Sequence, residues 1–191
     1  MPTVGIIAED ESDVNSARIL IHRIAENNRI EIKKFVGGGC GKLRRKCSAW
    51  SHQLHQKGCS ILIIIHDLDR NILSELNNKI QDLITPCPIR KNLICIPVQE
   101  FEAWFLSDLN AIQKSLKLRK TPKMKGYPEN IHSPKETLGR LILKASDGEK
   151  DYINTTHNEI IAAHLSIEKA KRICPSFRPF NNFIVEHLKQ N

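Results

Sequence analysis

The chain has 191 residues, 40% of them apolar and 5% aromatic, and carries a net charge of +8. That length holds one domain, or one domain with a small appendage, and the apolar fraction excludes wholesale disorder. The longest purely apolar stretch, Ile61 to Ile65, falls far short of the ~18–20 residues of a membrane span. No basic-then-apolar leader pattern precedes the first strand, and the basic balance suits a polyanionic partner.

Two periods alternate over the first hundred residues. Thr3 to Ala8 reads as a buried strand, and Asp13 to Ala25 as a helix with Ala17, Leu20, Ile21 and Ile24 at helical spacing. Arg29 to Val36 is a second strand, and Leu43 to Lys57 a helix with Trp50 and Leu54 on one face. Cys59 to His66 is the strongest strand. Its unbroken Ile-Leu-Ile-Ile-Ile run implies burial on both faces, as in a parallel sheet between helices. Asn71 to Ile84 is a helix with Ile72, Leu76, Ile80 and Leu83 on its inner stripe; Leu93 to Val98 is a fourth strand, and a helix follows over Glu100 to Leu109. The alternation predicts an α/β core over residues 1–110, with a central parallel sheet of about four strands flanked by helices.

Residues 111–133 read as a basic loop, because no acidic residue lies between Asp108 and Glu129 and Pro122, Gly126 and Pro128 break regular structure. Helical patterns follow at Pro134 to Ala145, Asn158 to Arg172 and Phe180 to Lys189. Residues 134–191 are therefore expected to form a helical C-terminal appendage packed on the core. Cys40, Cys47, Cys59, Cys87, Cys95 and Cys174 make no C-x-x-C pair, and the histidines show no metal-binding helical spacing. Reduced thiols, a cytoplasmic location and no zinc centre are the expectation.

Acidic residues follow three of the strands. Glu9, Asp10, Glu11 and Asp13 follow the first; Asp67 and Asp69 the third; Glu100 and Glu102 the fourth, with Asp108 beyond them. Parallel strands bring their carboxyl ends to one rim, where such sheets carry their sites. If the chain stays extended, Asp67 and Asp69 point the same way. Carboxylates gathered on one spot repel unless a cation sits among them, and Mg²⁺ or Mn²⁺ suits an oxygen-only set. Taken singly, each grouping also reads as helix capping, with Glu11, Ser12 and Asp13 opening the first helix and Asp69 the third.

The order of these motifs resembles Toprim domains, which have a glutamate after the first strand and D-x-D after the third. The chain looks in particular like a bacterial Toprim-like family, the domain of unknown function 4276, related to the nuclease domains of overcoming-lysogenization-defect-type proteins. The matching stretches are Val-Gly-Ile-Ile-Ala-Glu-Asp-Glu-Ser-Asp (4–13), His-Asp-Leu-Asp (66–69), Pro-Val-Gln-Glu-Phe-Glu-Ala-Trp-Phe-Leu-Ser-Asp (97–108) and Ile-Cys-Pro-Ser-Phe-Arg-Pro-Phe (173–180). The chain departs from the pattern at Asp10, where Glu-Gly is usual, and Glu11 is the fallback for Glu9. The resemblance implies a Toprim-like (Rossmannoid) fold and Mg²⁺- or Mn²⁺-dependent phosphodiester hydrolysis. Asp67 and Asp69 would be metal ligands, Glu9 the acid/base or a ligand, Glu100 or Glu102 the rest of the shell, and Asp108 behind it. It further implies an ATPase partner and a role in anti-phage defence.

Two basic segments bear on substrate. Lys42, Arg44, Arg45 and Lys46 follow the Gly37-Gly38-Gly39-Cys40-Gly41 loop, and Arg119, Lys120, Lys123 and Lys125 lie in the second. Both are expected to hold a nucleic-acid backbone, DNA in the first place, with salt-sensitive affinity. The glycine loop is not a nucleotide-binding Walker loop, since Leu43 follows the lysine where Ser or Thr is required. His66 reads as held in place by a hydrogen bond, Trp104 as core, and Cys174-Pro175-Ser176 as a turn. Two other functions compete with a nuclease. One is a non-catalytic module that binds nucleic acid or an ATPase, suggested by Asp10. The other is a phosphoacceptor receiver, disfavoured because the fourth strand leads into Pro97 and glutamates rather than Ser or Thr.

Overall fold

The computed structural model describes residues 2–189, so that residues 1, 190 and 191, at the ends of the expected segments, lie outside it. Four strands, β1 (Thr3–Ala8), β2 (Glu31–Val36), β3 (Ile61–Ile65) and β4 (Lys91–Cys95), form one parallel sheet in the order β2-β1-β3-β4. The expected α/β architecture is present. From β1 the chain steps outward to β2, then returns past β1 to β3 and on to β4. Crossovers of constant hand put the connecting helices on opposite faces when the direction of progression reverses. Accordingly α1 (Glu11–Ile24) packs on one face, and α2 (Cys40–Gln56) and α3 (Leu73–Ile84) on the other. The reversal leaves a switch point between β1 and β3, at whose carboxyl ends open α/β sheets bind ligands.

The period of two in the strands sorts the core. Val4, Ile6, Ala8, Ile61, Ile63 and Ile65 join the cluster under α1, while Ile7, Leu62 and Ile64 join that under α2 and α3. Gly5 lies where a side chain would collide with Leu54 of α2, a Cβ there falling 2.8 Å from Leu54 Cδ1. On α3 the inner stripe is Leu76, Ile80 and Ile84; Ile72 and Leu83, expected inside, are exposed. Both sets share Leu76 and Ile80, and packing in the cluster on this face of the sheet takes in Ile84 four residues on rather than Leu83 three residues on.

Beyond β4 the chain forms α4 (Glu102–Phe105), α5 (Leu109–Leu116), a 3-10 turn over Pro128–Asn130, α6 (Pro134–Ala145), α7 (Asn154–His164), α8 (Ile167–Ile173) and α9 (Phe177–Leu188). Two sequence expectations change here. The helix expected over Glu100 to Leu109 breaks after Phe105, because Asp108 caps a new helix by accepting from Ala111 N at 3.3 Å. That helix, α5, occupies the start of the segment read as loop. The helix expected over Asn158 to Arg172 is likewise two, since Leu165 is extended and Ser166 caps α8.

The C-terminal helices do not build a core of their own. Ile161, Ala162, Phe177, Phe180 and Ile184 belong to the same cluster as Val4 and Ile63. Trp104 is fully buried against Phe101, Phe177 and Phe180. Its indole N–H donates to Ser176 Oγ at 2.8 Å, and Ser176 Oγ–H donates to Glu129 Oε1 at 2.6 Å. The Cys-Pro-Ser turn thus pins α4 from behind. Burial pushes the Cys174 thiol up to about 12, with Glu129 adding to the effect, so it stays protonated and inert. All six cysteines are free thiols. No helix among the described residues is long and apolar enough to cross a membrane.

Candidate metal centre

The loops leaving β1, β3 and β4 run side by side at the carboxyl rim and continue the ladder. Gly37 N donates to Ala8 O and Gly38 N to Glu9 O, both at 2.8 Å. His66 N donates to Cys95 O (3.1 Å), Leu68 N to Pro97 O and Asp69 N to Gln99 O (both 3.0 Å). These bonds extend the β1–β2 and β3–β4 pairings past the strand ends, and the β1–β3 pairing that ends at Ile7–Ile64 brings the two halves together. A cleft of about 440 Å³ opens there. Glu9, Asp13, Asp67, Glu100 and Glu102 line it, with Gly38–Gly39 and Lys135 also on its wall.

Electrostatics tie four of these acids together. Burial, then the charges of Asp13, Glu102 and Glu9, hold the Asp67 carboxyl well above the usual carboxylate range. Burial, then Glu102, with Asp10 and Glu9 adding, does the same to Asp13. Asp13 and Glu102 are 6% and 3% exposed. Asp67 is more open as a residue, but its Oδ1 is shut off from solvent and has no hydrogen-bond partner; Glu9 Oε1 is in the same position. His66 Nδ1–H donates to Asp67 O at 2.7 Å. Glu9 Oε1 stands 2.9 Å from that nitrogen, off the line of the N–H bond, and His66 Nε2 is buried without a partner. Orphaned buried oxygens beside mutually repelling carboxyls are costly in any protein. Among the described residues, no three His, Cys, Asp or Glu side chains already surround one point at metal-ligand distance.

The other acids serve differently. Asp10 caps α1, its Oδ1 accepting from Ser12 N at 3.0 Å, and Glu11 pairs with Lys34. Glu100 accepts from Lys135 N in the first turn of α6 at 2.7 Å. Asp69 does not share the cleft with Asp67. The chain turns at Leu68–Asn71 and Asp69 adopts φ +47°, the left-handed conformation that Asp tolerates better than most residues. The extended geometry expected of D-x-D is lost, and Asp69 lines a neighbouring hollow with Arg70, Glu100 and His132. Asp108 stands apart: besides capping α5 it accepts from Ser166 N (3.2 Å) and from Lys169 Nζ (2.8 Å).

The sequence offers no hint of Tyr152, Asn158 or Lys135 at the cleft, and Asp13, grouped with the acids after β1, is assigned no ligand role by it. Asp13 had a signal, since it lies one turn before Ala17 on the stripe Ala17-Leu20-Ile24, and an acid on an apolar stripe is an anomaly. Tyr152 and Asn158 gave none. Tyr152 hydroxyl is 3.0 Å and Asn158 Nδ2 3.1 Å from Glu102 Oε1, although they lie 50 and 56 residues beyond it in sequence.

The basic segments divide. Lys42, Arg45 and Lys46 are exposed on α2, and burial and Glu9 hold the Asp69 carboxyl above its ordinary value, with His66 and then Arg44 opposing them. Arg119 and Lys120, by contrast, are engaged by Glu149 and Asp147 from the α6–α7 connection, Lys120 Nζ lying 2.8 Å from Asp147 Oδ1. The acid-free sequence window around them did not show partners arriving from elsewhere. Lys123 and Lys125 are exposed.

No curated protein and no solved structure matches the chain. The family model described as Domain of unknown function (DUF4276) matches residues 8–184, a span that includes every strand end described above. The chain belongs to that family.

Proposed function

We propose that the cleft at the β1/β3 switch point is a divalent-cation site and that the protein hydrolyses phosphodiester bonds of nucleic acid, as a Toprim-type nuclease. The observation that carries this reading is the cluster of Glu9, Asp13, Asp67 and Glu102, in which buried carboxyls raise one another and two oxygens lack partners. The donor set fits a hard cation: it is all oxygen, anionic and shielded, which suits Mg²⁺ or Mn²⁺. Asp13, Asp67 and Glu102 would hold the ion. When bound, such an ion activates water and stabilises a leaving 3′ oxygen.

The chain's own groups supply the rest. Glu9, with an unpartnered Oε1 beside His66, would take a proton from a nucleophile and return it to the leaving oxygen. Lys135 on the same wall would offset phosphate charge, and Lys42, Arg44, Arg45 and Lys46 on α2 would grip the backbone. An ATPase partner and a part in defence against phage enter the proposal on the Toprim resemblance alone.

The test is incubation of the full chain with end-labelled single- and double-stranded DNA and RNA, in Mn²⁺ or in EDTA. Cleavage is expected in Mn²⁺ only, and Asp67→Asn with Asp13→Asn should reduce it to background without unfolding the protein. Undiminished cleavage by that double variant would overturn the site. The alternative, a non-catalytic module, is favoured by Asp10, whose carboxylate is committed to capping α1. It would be selected by salt-sensitive binding without cleavage, with or without a partner.

A further inference from the structure

We infer that Tyr152 and Asn158, from the helical third of the chain, are positioning residues for Glu102 in the proposed metal centre; the inference rests on that centre being a cation site. Glu102 opens α4, a helix of four residues, and is almost fully buried. Its Oε1 accepts from two donors, the Tyr152 hydroxyl at 3.0 Å and Asn158 Nδ2 at 3.1 Å. Tyr152 O–H is shared with Asn158 Oδ1, closing a triangle. A carboxylate only accepts, so the amide's donor end must face Glu102 and its oxygen the phenol.

This is the arrangement in which outer partners orient ligating carboxylates. Asn158 is fully buried and reaches across from α7, its side-chain amide engaged within this triangle at both ends. The same segment also grips the other half of the cleft, Asn154 Nδ2 lying 3.2 Å from Ser12 Oγ and 3.4 Å from Asp10 Oδ2. Residues 152–158 thus tie the β1–α1 corner to α4, the two sides between which Asp13 and Glu102 face each other. The helical region is part of the site's construction and not only a cover for the sheet.

The test is calorimetric titration of Mn²⁺ into the full chain as wild type, Tyr152→Phe and Asn158→Ala, with thermal melts in EDTA to establish that each is folded. Phe keeps the ring and removes only the donor. Tyr152→Phe is expected to weaken Mn²⁺ binding by about 10–100-fold, and Asn158→Ala to act in the same direction. A merely structural role would lower the EDTA melting temperature and leave the affinity of the folded protein unchanged. Wild type that binds Mn²⁺ while both variants bind it within about twofold of wild type would overturn the positioning role alone. Wild type that takes up no Mn²⁺ would overturn the cation site and this inference with it.

Discussion

Replacing Asp67 by asparagine should make the metal-free protein more stable at pH 7, the reverse of the usual effect of disturbing a buried site. Asp67 Oδ1 is buried without a partner, and an unsatisfied buried polar atom costs about 1–3 kcal/mol. Repulsion from Asp13, Glu102 and Glu9 acts in the same direction. Asparagine keeps the shape, removes the charge and, with its amide nitrogen in the place of Oδ1, offers a donor to the neighbouring carboxylates, so a gain of about 1–3 kcal/mol follows. At about 2–4 °C per kcal/mol for a chain of this size, the melting temperature in EDTA rises by about 2–12 °C. The pH dependence has a definite sign. The folded Asp67 carboxyl titrates above its unfolded value, so the folded state binds more protons across that interval and wild-type stability falls as pH rises through it. The advantage of asparagine therefore grows as pH rises through the interval in which the folded carboxyl ionises, and closes on acidification toward about pH 4, where an unfolded aspartate also protonates. Saturating Mn²⁺ should narrow or reverse the order, since ligand at about 100 times its dissociation constant adds about 2.7 kcal/mol to the protein that binds it. Melts followed by circular dichroism between pH 4.5 and 8, in EDTA and in Mn²⁺, measure all three. A variant less stable than wild type in EDTA at pH 7, with a gap that does not change with pH, would refute the repulsion argument.

Ser176→Ala removes the acceptor of the buried Trp104 indole N–H. It should destabilise the protein by about 1–3 kcal/mol, and an unchanged melting temperature would show that the Ser176–Glu129 link does not hold α4. Arg44→Ala with Arg45→Ala should lower the slope of log binding constant against log salt for DNA by about one for each phosphate no longer neutralised. A slope equal to that of wild type would remove α2 from the interface.

Local pattern determined much about this protein. The unbroken apolar run of β3 and the alternation of periods led to a parallel sheet between helices, because burial on both faces leaves no polar positions in a strand. Acids after β1, β3 and β4 pointed to one rim, because parallel strands end on the same side. What the acids do there was decided only by tertiary structure. Capping residues and cleft-lining acids are of the same types, so sequence could not separate Asp108, held by Lys169 and the α5 N-terminus, from Glu102, which lines the cleft. A left-handed residue at Asp69 undid the two-residue parity that would have set it beside Asp67. Partners for Arg119 and Lys120 came from the far end of α6. Asp13 and Asp67, with ordinary sequence neighbours, became the most perturbed acids because burial and repulsion depend on distance through space, which the order of residues along a chain does not specify.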